Sequence, residues 1–76
     1  MSIFKMDKNI SSGQMLLRRV RAGFVSQGIT LHEWCVVNEV LYPNARQSLL
    51  GTWAGPKGIE LKKRILHDSG VNHDEN

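Results

Sequence analysis

Residues 30–50, TLHEWCVVNEVLYPNARQSLL, decide the fold. They read as two short helices joined by a tight corner. Thr30, Leu31, His32 and Glu33 have the spacing of a capping box. In that device a Thr hydroxyl takes a free backbone N–H of the first turn, and a Glu three residues on reaches back to the cap. Behind it Leu31, Trp34, Cys35 and then Asn38 fall on one helical face, with Cys35 small enough to let another helix come close. The helix should end near Asn38 and Glu39, because Asn tolerates the left-handed conformation that closes helices. Val40 and Leu41 cross a short apolar corner. Pro43 restarts the chain as a helix, since proline in the first helical position gives up no needed hydrogen bond. Ala45, Ser48 and Leu49 then make an inner stripe at helical spacing, with Tyr42, Asn44, Arg46 and Gln47 toward the other side.

A short helix that shows Asn, Arg, Gln and Tyr outward carries the side chains that read base edges in a major groove. The stretch resembles the helix-turn-helix of the lambda-repressor-like superfamily, the small repressors and Cro-type regulators of phages and prophages. The resemblance rests on Trp34 and Cys35 before the corner, Val40 after it, Ala45 and Leu49 in the next helix, and the stop at Gly51. More weakly, it extends over residues 14–66. Two positions depart from the pattern. Glu39 stands where the family prefers Gly, and a non-Gly residue forced left-handed there costs roughly 1–2 kcal/mol. Ser48 stands where the family is usually apolar. Either Asn38 takes the strained conformation or the corner differs slightly from the family's.

Upstream, Ser11 and Gln14 form a second capping box. The spacing predicts a helix over 14–27 that buries Leu16, Leu17, Val20 and Phe24 and closes on Gly28. Gly23 inside it weakens the helix by up to about 1 kcal/mol but permits close packing. Arg18, Arg19 and Arg21 cannot share one direction, although Arg18 and Arg21 fall on one face. That face could turn toward phosphates, but at most one of the three arginines is expected to do so, and the others are solvated or pair with Glu33 or Glu39. Residues 1–10 read as a flexible arm. It either lies along a DNA backbone, docks Ile3 and Phe4 on a partner subunit, or simply frays.

Downstream, residues 51–58, GTWAGPKG, are a loop by composition. A nucleotide-binding loop would need G-x4-G-K-[ST]; counted from Gly51, the second glycine position holds Pro56, and Gly58 follows Lys57 instead of Ser or Thr. Lys57 beside free N–H groups around Gly58 and Ile59 still favours a phosphate, by charge and helix dipole together. The plain alternative is an exposed turn lysine. Trp53 caps the core edge. Residues 59–66 form a short amphipathic helix with Leu61, Ile65 and Leu66 inward. Its Lys62, Lys63 and Arg64 suit a helix C-terminus and need no ligand to explain them. Residues 69–76 read as a disordered acidic tail.

Seventy-six residues make one domain at most. A core of this size is marginal and needs compact packing, a staple or a partner chain. With one cysteine there is no internal disulfide and no four-ligand cysteine zinc site. Cys35 lies between apolar neighbours and reads as inert core. His67, Asp68, His73 and Asp74 lack the i, i+4 spacing that preorganises metal ligands. Trp34 and Trp53 could stack on unpaired bases, yet in so small a domain they supply core volume. Nothing points to catalysis, a cofactor or a small-molecule ligand. No apolar run reaches the roughly 18 residues of a membrane span, and the opening residues MSIFKMDKN lack a secretory core. A cytoplasmic, nucleoid-associated protein is expected.

The net charge of +3 is unevenly spread. All ten Lys and Arg lie within residues 1–67 against four acids, leaving +6 there, while Asp68, Asp74 and Glu75 give the last nine residues −3. A basic body favours an anionic partner. The expected fold is all-α, a compact bundle of four to five short helices containing a helix-turn-helix over residues 11–68. The resemblance implies a sequence-specific binder of double-stranded DNA, a transcriptional repressor whose helix 43–50 enters the major groove. Arg46 would pair with guanine and Gln47 with adenine, with Tyr42 and Asn44 on bases or nearby phosphates. Thr30, His32, Thr52, Lys57 and Gly58 would hold the backbone. A module this small makes few base contacts, so a homodimer on two half-sites is expected. The rival readings are a protein-interaction module that binds another regulator or polymerase, and an excisionase-like architectural factor that bends DNA.

Overall fold

A computed structural model describes residues 11–71. They form four α-helices and no strand: α1 Ser12–Ser26, α2 Leu31–Val37, α3 Tyr42–Leu50 and α4 Pro56–Ser69. The expectations for the 1–10 arm, His73 and Asp74 lie outside the described residues. None of the helices is long and apolar enough to cross a membrane.

Both capping boxes form. Ser11 Oγ accepts from the Gln14 N–H at 3.1 Å while Gln14 accepts from the Ser11 N–H, and Thr30 and Glu33 repeat the exchange at 3.0 and 2.9 Å. Each box satisfies two donors that a helix start otherwise leaves unpaired. The inward stripes meet in one core of Leu17, Val20, Phe24, Leu31, Trp34, Cys35, Ala45, Leu49, Leu61 and Ile65, with Leu16, Val40, Trp53 and Leu66 at its edge. Helix α3 lies against all three others, and Ala45 and Leu49 are the residues it drives inward. Ser48, on the same face, is also buried. Its hydroxyl donates to the Ala45 carbonyl at 2.8 Å, so a polar residue in an apolar position leaves no unpaired donor.

The corner between α2 and α3 settles the open choice at residues 38 and 39. Asn38 keeps φ −93°, and Glu39 turns left-handed at φ 59°. The Val40 N–H reaches the Cys35 carbonyl at 2.8 Å and the Glu39 N–H reaches Val36 at 3.2 Å, the bond pair of a helix closed by one left-handed residue. Asn38 therefore contributes through its side chain. Its Nδ2 donates to the Trp34 carbonyl at 2.9 Å, and its Oδ1 accepts from Arg64 Nη2 at 3.2 Å. Glu39→Gly should relieve the strain at φ 59°, partly offset by the extra freedom of glycine in the unfolded chain. The net expected gain is about 0.5–1 kcal/mol. A urea midpoint that stays put or falls would show that the glutamate is unstrained there.

Boundaries move in α1, α3 and α4. Helix α1 runs Ser12–Ser26 in place of 14–27, because Ser11 caps it and Gln14 is its third residue. Pro43 is the second residue of α3, because Tyr42 opens it; the missing proline N–H still falls among those a helix start cannot pair. Helix α4 is longer than the 59–66 segment at both ends. Pro56 starts it, and Gly55 precedes it as the cap. Its last turn runs through His67, Asp68 and Ser69 to a left-handed Gly70. The tail expected from residue 69 onward accordingly loses its first residues: Ser69 and Val71 are buried, and the Val71 N–H donates to the Leu66 carbonyl at 3.0 Å. Three glycines allow close approaches: a Cβ on Gly13 would press on the Leu50 carbonyl, where α1 meets α3. A Cβ on Gly23 would press on the Ser69 carbonyl, and one on Gly58 on the Trp53 carbonyl.

The backbones of α2 and α4 do not meet, and side chains span the gap. Trp34 Nε1 donates to Asp68 Oδ2 at 2.8 Å, the Arg64 guanidinium sits 5.5 Å from the Trp34 ring centroid, and Arg64 reaches Asn38. Gln27 Nε2 also donates to the Asp68 carbonyl at 2.9 Å, which ties the end of α1 to the same turn. Arg64 thus has a bridging role, which its place near a helix C-terminus did not reveal.

Candidate nucleic-acid interface

Helix α3 leaves one face toward solvent because its other face is consumed by the core. Buried Ala45, Ser48 and Leu49 recur at three- and four-residue steps, so Pro43, Arg46 and Gln47 are left exposed, with Tyr42 and Asn44 half-buried beside them. Arg46 brings a fixed fork of donors and Gln47 a donor and an acceptor side by side, the two arrangements that match guanine and adenine edges. The helix ends on Gly51 at φ 90°. There the Gln47 carbonyl accepts from the N–H groups of Gly51, Thr52 and Trp53 at 3.0, 3.1 and 3.3 Å, which tightens the exit from the helix.

The candidate phosphate residues fall into three local settings. At the start of α2, Thr30 is exposed, and its hydroxyl acts as acceptor in the capping box, which leaves its own proton to donate. The Glu33 carboxylate lies 2.9 Å from the Thr30 N–H, however, and places a negative charge where a phosphate would come. His32 is exposed next to it and turns its ring toward Tyr42, with centroids 5.6 Å apart and planes at 52°. After α3, the Thr52 hydroxyl points back to the Gln47 carbonyl at 3.4 Å. It would have to turn away from that carbonyl to donate elsewhere.

The start of α4 is the most favourable of the three. It has no side-chain cap and no acid in its first turn, and Lys57 is exposed. The N–H groups of Lys57 and Gly58 have no acceptor among the described residues. The Ile59 N–H, expected to be free, is already taken by the Gly55 carbonyl at 2.9 Å. Gly58 itself is buried under Trp53, whereas Lys57 is exposed. A helix start with unpaired N–H groups, no acid and a lysine attracts an anion.

What was not legible beforehand is the scaffold behind this face. Asp68, 34 positions from Trp34, takes the indole N–H, and no local spacing signals such a pair. The hydrogen bond from His67, then that from Trp34, holds the Asp68 carboxyl below its ordinary value. Among the described residues no cluster of three metal-ligating side chains occurs, and burial pushes the Cys35 thiol upward, away from a reactive thiolate. No protein-family model, curated protein or solved structure matches the chain.

Proposed function

We propose that the chain is a sequence-specific binder of double-stranded DNA that regulates transcription, as a small repressor does, in the cytoplasm and on the nucleoid. One observation carries the reading. Helix α3, pinned by three other helices, turns Arg46 and Gln47 to solvent beside half-buried Asn44 and Tyr42, on a chain whose surplus charge is positive. In this reading α3 lies in the major groove, and Arg46, Gln47, Tyr42 and Asn44 contact bases. Lys57 at the start of α4 takes a phosphate, with Thr30, Thr52 and Gly58 the further candidates along the backbone. Two copies on half-sites about one helical turn apart would double the few base contacts a single short helix makes.

Selection of bound sites from a random duplex library, followed by titration of selected and scrambled duplexes at several salt concentrations, tests this. A recovered motif, with half-site symmetry if the protein pairs, is the expected result. Lys57→Ala should weaken binding to all sequences alike and lower the slope of log affinity against log salt by about one. If the slope is unchanged, Lys57 makes no phosphate contact.

The second reading, a protein-interaction module, is favoured by Val36, Val37 and Leu41, which are 66, 78 and 69% exposed around the corner between α2 and α3. Large apolar side chains gathered at one place on a surface are the ordinary material of a protein interface. Absence of retardation of random genomic fragments even at low salt would favour this reading over the first.

A further inference from the structure

We infer that His32 is a positioning residue, which holds the Tyr42 ring in place for the DNA-reading face instead of contacting a phosphate; the inference rests on the DNA-binding reading of α3. Tyr42 is the first residue of α3, and it packs against the edge of the core. His32, the second residue of α2, lies against it with ring centroids 5.6 Å apart and planes tilted by 52°, a geometry favourable to aromatic pairs. Tyr42 thus touches both the core and an imidazole, and its hydroxyl makes no hydrogen bond among the described residues. A tyrosine has few rotatable bonds, so a ring with both contacts meets a base or phosphate at little further cost in freedom.

The surroundings argue against the phosphate role for His32. Glu33 is its neighbour, and that carboxylate is fixed at the same helix start by its bond to the Thr30 N–H at 2.9 Å. Helix α2 has only seven residues, and its first acid already answers the partial positive charge at its start. His32 is exposed, yet the contact the structure gives it is Tyr42. It also joins the first turn of α2 to the first turn of α3 across the corner, which couples the orientation of the two helices.

The two roles separate on replacement by phenylalanine, which keeps a ring but has no polar group. Fluorescence anisotropy on a selected duplex should show His32→Phe within about twofold of wild type. His32→Ala should be weaker by about three- to tenfold, the worth of one aromatic pair, with the salt slope of both unchanged. Phe and Ala variants that are equally weak and each lower the salt slope by about one would overturn the inference in favour of a phosphate contact. An alanine variant that binds as wild type would overturn it too. Proton NMR of the free chain gives a readout independent of DNA: the Tyr42 ring resonances should move in His32→Ala and not in Arg18→Ala. If the wild-type chain binds no duplex, the reading of α3 fails. The His32–Tyr42 pairing is then judged by those resonances alone, and unshifted signals would end it.

Discussion

Trp34→Ala is expected to destabilise the chain by about 3–5 kcal/mol, the range for truncating a large buried aromatic. A small domain has total stability toward the lower end of about 5–15 kcal/mol, so much of the population should unfold at moderate temperature. Trp34 is 5% exposed and does three things at once. Its ring lies 5.9 Å from that of Phe24, it supports the Arg64 guanidinium, and its Nε1 donates to Asp68. Truncation removes all three and leaves a cavity between α1 and α2, while the half-solvated Asp68 carboxylate can turn to water and adds little to the loss.

Trp34→Phe separates packing from the hydrogen bond. It keeps most of the ring contact and loses the N–H, so a cost of about 1 kcal/mol is expected, at the low end for a bond to a charged acceptor because Asp68 is partly exposed. The pH dependence fixes the sign. Asp68 is held below its ordinary 3.8 by His67 first and Trp34 second, so the stabilisation is complete above that value and is lost as pH falls through the lower, folded-state value. Wild type and Trp34→Phe should therefore converge in urea unfolding as the pH is taken down through that lowered value. Identical midpoints at pH 7 would mean that the bond adds nothing.

Arg46→Ala should cost about 1–3 kcal/mol in binding to the selected duplex, a loss of about five- to 150-fold, and should relax preference at one base pair. Arg46 is exposed on α3 and has no hydrogen bond, ion pair or ring contact among the described residues, so the thermal unfolding of the variant should match wild type. The contrast with Lys57→Ala is the informative part. A base contact loses affinity for one sequence, whereas a phosphate contact loses it for every sequence and shows in the salt slope. Titration of the two variants against the selected duplex, its single-base variants and a scrambled duplex separates them. If both lose affinity equally on all duplexes, the division between base and phosphate residues is wrong.

Much of the fold was legible in the chain because its signals are local. A capping box pairs residues three apart, so Ser11 with Gln14 and Thr30 with Glu33 could be read from spacing alone. Apolar stripes repeat every three or four residues, and this is how Val20 and Phe24, or Ala45 and Leu49, were marked as inward. Once Ala45, Ser48 and Leu49 point inward, helical geometry sends Arg46 and Gln47 outward, and the candidate face follows.

The boundaries of α4 were harder, because residues 51–58 have a loop's composition and His67-Asp68 reads as a polar tail. Pro56 and left-handed Gly70 frame a longer helix, and distant residues, Gln27 and Trp34, hold its last turn through Asp68. The same holds at the site. Sequence placed His32 and Tyr42 in separate roles, one on phosphate and one on bases, whereas their rings lie together across the corner. The free N–H assigned to Ile59 is claimed by Gly55, and Gly58 lies under Trp53.

By itself, then, the sequence determined which segments are helical, which faces are apolar and that Arg46 and Gln47 of α3 face outward, since each depends on neighbours within about one turn. Only the tertiary structure decided that Glu39 and not Asn38 turns left-handed, that Asp68 receives the Trp34 indole, and that the His32 and Tyr42 rings lie together. Those outcomes depend on how helices pack in space. Packing chooses among locally equivalent conformations by contacts between residues far apart in the chain, for which no periodicity exists to be read.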